Sequence, residues 1–141
     1  MKTQGEFTPE TATAARSQYE ALELAAETVT KEVAKAGTDS REAYQELTTP
    51  EIIDTAQETL FASLLEVTVG TAAEFEAWLE DHPGLTVSLA GHESVSQRAW
   101  HPIPPRDVVA AVSFEDGTEA AVATVRRQAV GKHYRSLLGL Q

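Results

Sequence analysis

The sequence predicts an α+β fold: a helical N-terminal region (a long helix plus a helical hairpin), then a three- to four-stranded mixed sheet covered by two helices. Three observations predict it. Apolar residues recur every three or four positions as far as residue 64, the period of a helix with one buried stripe. The period then falls to two in "LLEVTVG" and "LTVSL", as in half-buried strands. A run apolar on both faces, "DVVAAVSFE", suits a central strand. The chain of 141 residues fits one domain, 1–141, with 8–63 as its helical part and 64–141 as a β-α-β-β-α part.

Each element follows from local chemistry. Thr8-Pro9-Glu10 is a helix start: a cap residue, a proline for the first turn and an acid against the positive end. Ala12, Ala15, Tyr19, Leu22, Ala26, Val29, Val33 and Ala36 then form a narrow seam ending at Gly37. A helix over 9–36 would be about 42 Å long at 1.5 Å per residue. Asp39-Ser40-Arg41-Glu42 matches a capping box, and Thr48-Thr49-Pro50-Glu51 opens a third helix with Ile52, Ile53, Ala56, Leu60 and Leu64 on one face. The first and third helices are expected to pair, leaving half the seam for the last helix and a second subunit.

Strands are expected at 65–69 and 85–89, joined by a helix that Thr71 and Glu74 open as a capping box, with Phe75, Trp78 and Leu79 inward. This unit predicts a right-handed parallel crossover. Residues 95–101 form a weaker strand, antiparallel to that of 107–115. Asp116-Gly117-Thr118-Glu119 starts the last helix, lined by Val122, Val125, Ala129 and Leu137.

Charge is the strongest compositional feature. Twenty-two acids face eleven bases, for a net −11. Residues 1–97 carry 18 acids and 5 bases, net −13; residues 98–141 carry 4 acids and 6 bases, net +2. An acid-rich, lysine-poor chain suits molar salt, where the Debye length falls to roughly 3 Å and self-repulsion is screened. With no cysteine, disulfides and thiolate chemistry are excluded. No apolar run approaches the roughly 18 residues of a membrane span, and "MKTQGEFTPE" has no apolar signal region. A cytoplasmic, non-membrane protein is expected.

Three places could hold a ligand. In "QRAWHPIPPRD" (97–107), three prolines follow a Trp and a His. A rigid turn that buries Trp100 is the reading to expect, since "PIPP" is short for a polyproline ligand. Two loops, Gly70-Thr71 and Gly91-His92-Glu93, follow the paired strands and should meet at one sheet end, where a helix N-terminus could receive an anion. "VRRQAVGKHYRSLL" gathers Arg126, Arg127, Lys132, His133 and Arg135, a patch for a polyanion or an acidic partner, or simply cations suited to a helix C-terminus. The four histidines fit no ligand spacing, so neither metal nor cofactor is expected.

"LFASLLEVTVGTAAEFEAW", "RAWHPIPP" and "AAVATVRRQAVGKHYR" together resemble a family of small haloarchaeal proteins, a domain of unknown function. The resemblance implies a halophilic archaeal cytoplasm and brings no catalytic residues to carry over. The function expected from the whole is a non-enzymatic interaction protein with an unknown protein partner or a second copy. A nucleic-acid module using the basic segment is the alternative. A small-molecule or anion-binding enzyme at the strand ends comes third.

Overall fold

In the computed structural model, which describes residues 1–140, the fold class is the α+β one that periodicity predicts, with five strands in place of three or four. The predicted long helix is two. Thr11, not Thr8, caps α1 (Ala12–Glu20), its hydroxyl accepting from the Ala14 amide at 3.0 Å, while Pro9 is buried just before it. The helix then breaks before α2 (Glu23–Gly37). The break has a side-chain cause: the Gln57 amide donates to the Tyr19 carbonyl (2.9 Å), and the Leu22 amide bonds the same carbonyl in a tightened turn.

Beyond the break the buried face is rotated away from the predicted seam. Ala26, Thr30 and Ala34 face inward, whereas Val29 and Val33 are 48% and 65% exposed. Ser40, not Asp39, caps α3 (Arg41–Leu47). Its third residue is Ala43, so there is a single cap bond and no box. Thr49 and Pro50 open α4 (Pro50–Leu64) as predicted, but the buried positions are Gln57 and Phe61, and Ile52 is 38% exposed. α2 packs along α4, and the C-terminal segment covers α1, where Arg16 Nε donates to the Leu137 carbonyl at 3.0 Å.

The sheet comprises β1 (Lys2–Gln4), β2 (Val67–Thr71), β3 (Thr86–Ala90), β4 (Gln97–Ile103) and β5 (Val108–Phe114), in the order β1-β2-β4-β5-β3. β4 lies antiparallel to both β2 and β5, and β3 is parallel to β5. The crossover from β2 through α5 (Ala72–Glu80) therefore joins strands that point the same way, but β4 and β5 stand between them. The apolar run of β5 claims an interior position, between β4 and β3. It is buried on both faces, while β3, with Val87 39% exposed, takes the edge.

The proline stretch is a turn, shifted by two residues from the prediction. Pro102 lies within β4; Pro104–Arg106 form one 3₁₀ turn; and Asp107 takes a left-handed φ of 54°, which Asp tolerates better than most residues. The Asp107 carbonyl accepts the Thr86 amide at 2.8 Å, tying the turn to β3.

Two layers cover the sheet. On one face Trp100, Val109 and Ala111 pack against Phe75 of α5. On the other, Val67, Ala99 and Val112 meet Val122 and Val125 of α6 (Thr118–Ala129). A π-helical turn, Val130–Tyr134, follows α6 and leads into Arg135–Leu137. It shifts the inward face, so that Val130 and Tyr134 are buried and Leu137, predicted to line that side, packs only at its margin. Tyr134, Phe61, Tyr19 and Phe7 join the helical part and the sheet in one cluster, with ring centres 5.2–5.8 Å apart.

Candidate functional site

The two predicted loops do not meet. Gly70-Thr71 ends β2 and Gly91 follows β3 at the same end of the sheet, but three strand spacings apart, roughly 14 Å. Each loop is engaged locally. The Thr71 hydroxyl accepts the Glu74 amide (3.0 Å), while Glu74 returns a carboxylate oxygen to the Thr71 amide (2.8 Å) and holds the chain's amino group at 3.2 Å. Those bonds hold the Glu74 carboxyl below its ordinary range. The helix N-terminus thus carries its own anion. The shallow cleft of about 540 Å³ beside it is lined by Glu74 and Glu119 against Lys2 and the Met1 amino group, so it offers an anion no net positive charge.

Gly91 is glycine for a visible reason: φ is +110° and an added Cβ would lie 2.0 Å from the Ser113 hydroxyl. That hydroxyl accepts the His92 amide at 2.8 Å, and His92 Nδ1 accepts the Ser94 amide at 3.2 Å. Glu93 contributes its carbonyl, which accepts from Arg98 (2.8 Å). Arg98, 5% exposed, also donates to the carbonyls of Val95 and Gln97 and so staples the loop.

His101 is fully buried on the α6 face. Its Nδ1 lies 2.6 Å from the Glu66 carbonyl and its Nε2 2.7 Å from the Tyr134 hydroxyl. A carbonyl only accepts, so Nδ1 carries the proton; Nε2 of the neutral ring then accepts from the tyrosine. Burial holds the imidazole pKa down at about 4, against the Glu66 bond, and pushes the Tyr134 phenol upward. His82 bonds the Trp78 carbonyl (2.7 Å) and stacks on its ring. Among the described residues, no three His, Asp or Glu side chains come together as a metal cluster.

The basic segment is where the structure gathers a site. α4 and α6 run side by side, and between them lies a trough of about 580 Å³, within the range of ligand sites, open to solvent along one side. Arg126, Arg127 and Arg135 line it; Lys132 and His133 do not. Arg126 Nε donates to the Leu65 carbonyl at 3.0 Å and a terminal nitrogen reaches the Gln4 carbonyl at 3.4 Å. Arg135 pairs with Glu58, the one acid among the lining residues. Arg127 is exposed, with a single 3.4 Å contact to Thr124. Small side chains, Ala62 and Ser63 on one wall and Ala123 on the other, with Gly131 of the π turn, keep the trough open. The cationic half of this site was visible in the sequence. The facing wall was not, because it lies some 65 residues earlier and its lining positions are small and polar.

A model of a family of unknown function (DUF5809) matches residues 6–135. No curated protein and no solved structure matches the chain.

Proposed function

The chain belongs to the DUF5809 family of unknown function, and on that premise we propose that it is a non-enzymatic interaction protein of a high-salt cytoplasm, with the trough between α4 and α6 as its contact surface. One observation carries this: three arginines of an otherwise acidic chain converge on one open, mostly apolar trough. A surface of that kind, combining apolar area with several arginines, has the composition of a protein interface. The buried His101–Tyr134 pair, the most perturbed titratable groups, is closed on itself and the Glu66 carbonyl, which supports a structural role for it. A nucleic-acid role has less support. Glu58 stands among the three arginines, the chain as a whole is strongly acidic, and Lys132 lies outside the trough.

The contact surface is tested with three baits in molar KCl extracts of the source cells: the native chain, Arg127→Glu and Ala123→Trp. Both substituted residues are exposed, so the fold should be kept. A partner retained by the native chain and lost by both variants supports the proposal; equal retention by all three, or none by any, removes it. The high-salt part is checked separately. The melting temperature should climb steeply from dilute buffer to molar KCl, because acids outnumber bases two to one. A flat profile would count against a high-salt cytoplasm.

A further inference from the structure

We infer that the occupant of the α4–α6 trough is an acidic amphipathic helix of a partner protein. This rests on the trough being the contact surface and adds what fills it.

Shape comes first. The trough runs along two neighbouring helices and stays open on one side, so it suits a rod laid along it better than a small molecule, whose sites bury most of the ligand. Its lining runs from Ala123 of α6 through the π turn to Arg135, roughly 18 Å at the helical rise, or three turns of a helix. Ala62, Ala123 and Gly131 let a third backbone approach to an ordinary interhelical distance of roughly 8–10 Å. An added Cβ at Gly131 would meet nothing within 4 Å, so the space beside it is free.

Charge fixes the kind of helix and how it lies. Three arginines against Glu58 leave the lining residues at net +2, in a chain of net −11. All three project from the α6 side. On the α4 side Thr55, Thr59 and Ser63 donate their hydroxyls back to the carbonyls of Glu51 (3.0 Å), Thr55 (2.9 Å) and Leu60 (2.7 Å), leaving only lone pairs for a visitor. The α4 wall therefore has no donors for carboxylates. The incoming helix must turn its acids toward α6 and its small or apolar residues toward α4. Arg126 and Arg135 are nine positions apart, roughly 13 Å at the helical rise, so acids seven or eight positions apart on one face would come close to both. Arg126 uses two of its five N–H groups on Leu65 and Gln4, which leaves others to bind while the fold holds the guanidinium in place.

The test uses the full chain and a fluorescein-labelled helical peptide of about 15 residues, long enough to fill the trough. It carries Glu on one face and Leu and Ala on the opposite one, and anisotropy is read in molar KCl. Saturable binding is expected, weakened about tenfold or more in Arg127→Glu, in Ala123→Trp, and for the peptide with every Glu replaced by Lys. Equal binding of the Lys peptide, or indifference to both substitutions, would overturn it. Dodecanoate and a short DNA duplex serve as competitors. If either binds with the same sensitivity to the substitutions while the acidic peptide does not bind, the helix is the wrong occupant and the contact surface stands. If no probe senses the substitutions, both fall.

Discussion

Trp100→Ala is expected to destabilise the fold by roughly 3–5 kcal/mol, the range for losing a large buried aromatic. Trp100 has no exposed surface, and its ring centre is 4.9 Å from Phe75 and 6.0 Å from Trp78. These residues supply most of what holds α5 against the sheet. β4 passes through the middle of the sheet and the proline turn fixes where it ends, so the backbone cannot readily collapse into the space left behind. The indole N–H has no hydrogen-bond partner, so Trp100→Phe removes an unsatisfied donor along with some packing and should cost well under the alanine figure. Denaturant unfolding in molar KCl measures both. A Trp100→Ala loss below about 1 kcal/mol would mean that this stretch is not a structural element of the core.

Stability should also fall as pH drops from 6.5 toward 4, and His101 should account for much of the loss. The imidazole takes a proton near 6.5 when unfolded and only at about 4 when folded. Between those values the unfolded chain binds more protons, so stability is fully present above 6.5 and declines below it. The slope is about 1.4 kcal/mol per pH unit, or roughly 3 kcal/mol over the whole window. His101→Gln keeps a neutral polar side chain but does not titrate. Its stability should be lower at neutral pH, yet the fall between pH 6.5 and 5 should be smaller by about 2 kcal/mol. If native and variant fall in parallel, His101 is not the group responsible. Tyr134→Phe strips Nε2 of its donor and should cost about 1–3 kcal/mol at any pH in this range.

What could be read from sequence follows a physical division. Thr49 with Pro50, and Thr71 with Glu74, mark true helix starts because a cap is made with residues two or three positions away. β5 could be read as a central strand because burial on both faces demands a continuous apolar run. β1 could not. Lys2–Gln4 is exposed throughout and is a strand only because β2 offers it partners. The trough divides in the same way. Its arginines stand out as a local excess of positive charge, while Thr55, Ala62 and Ser63 carry no signal until α4 is laid beside α6.

By itself the sequence determined the α+β class, the starts of α4, α5 and α6, the two-residue period of the strands, the burial of Trp100 and the contrast between acidic body and basic tail. All of these depend on contacts within a few residues or on composition. Only the tertiary structure decided that the first helix breaks where Gln57 takes the Tyr19 carbonyl. It likewise placed two strands between β2 and β3, so that their loops stay apart, and turned Tyr134 through a π turn onto His101. In each case the deciding partner lies more than 20 residues away in the chain. A hydrogen bond across that separation leaves no period or spacing behind it, because the side chain that makes it looks the same in sequence whether or not the partner arrives.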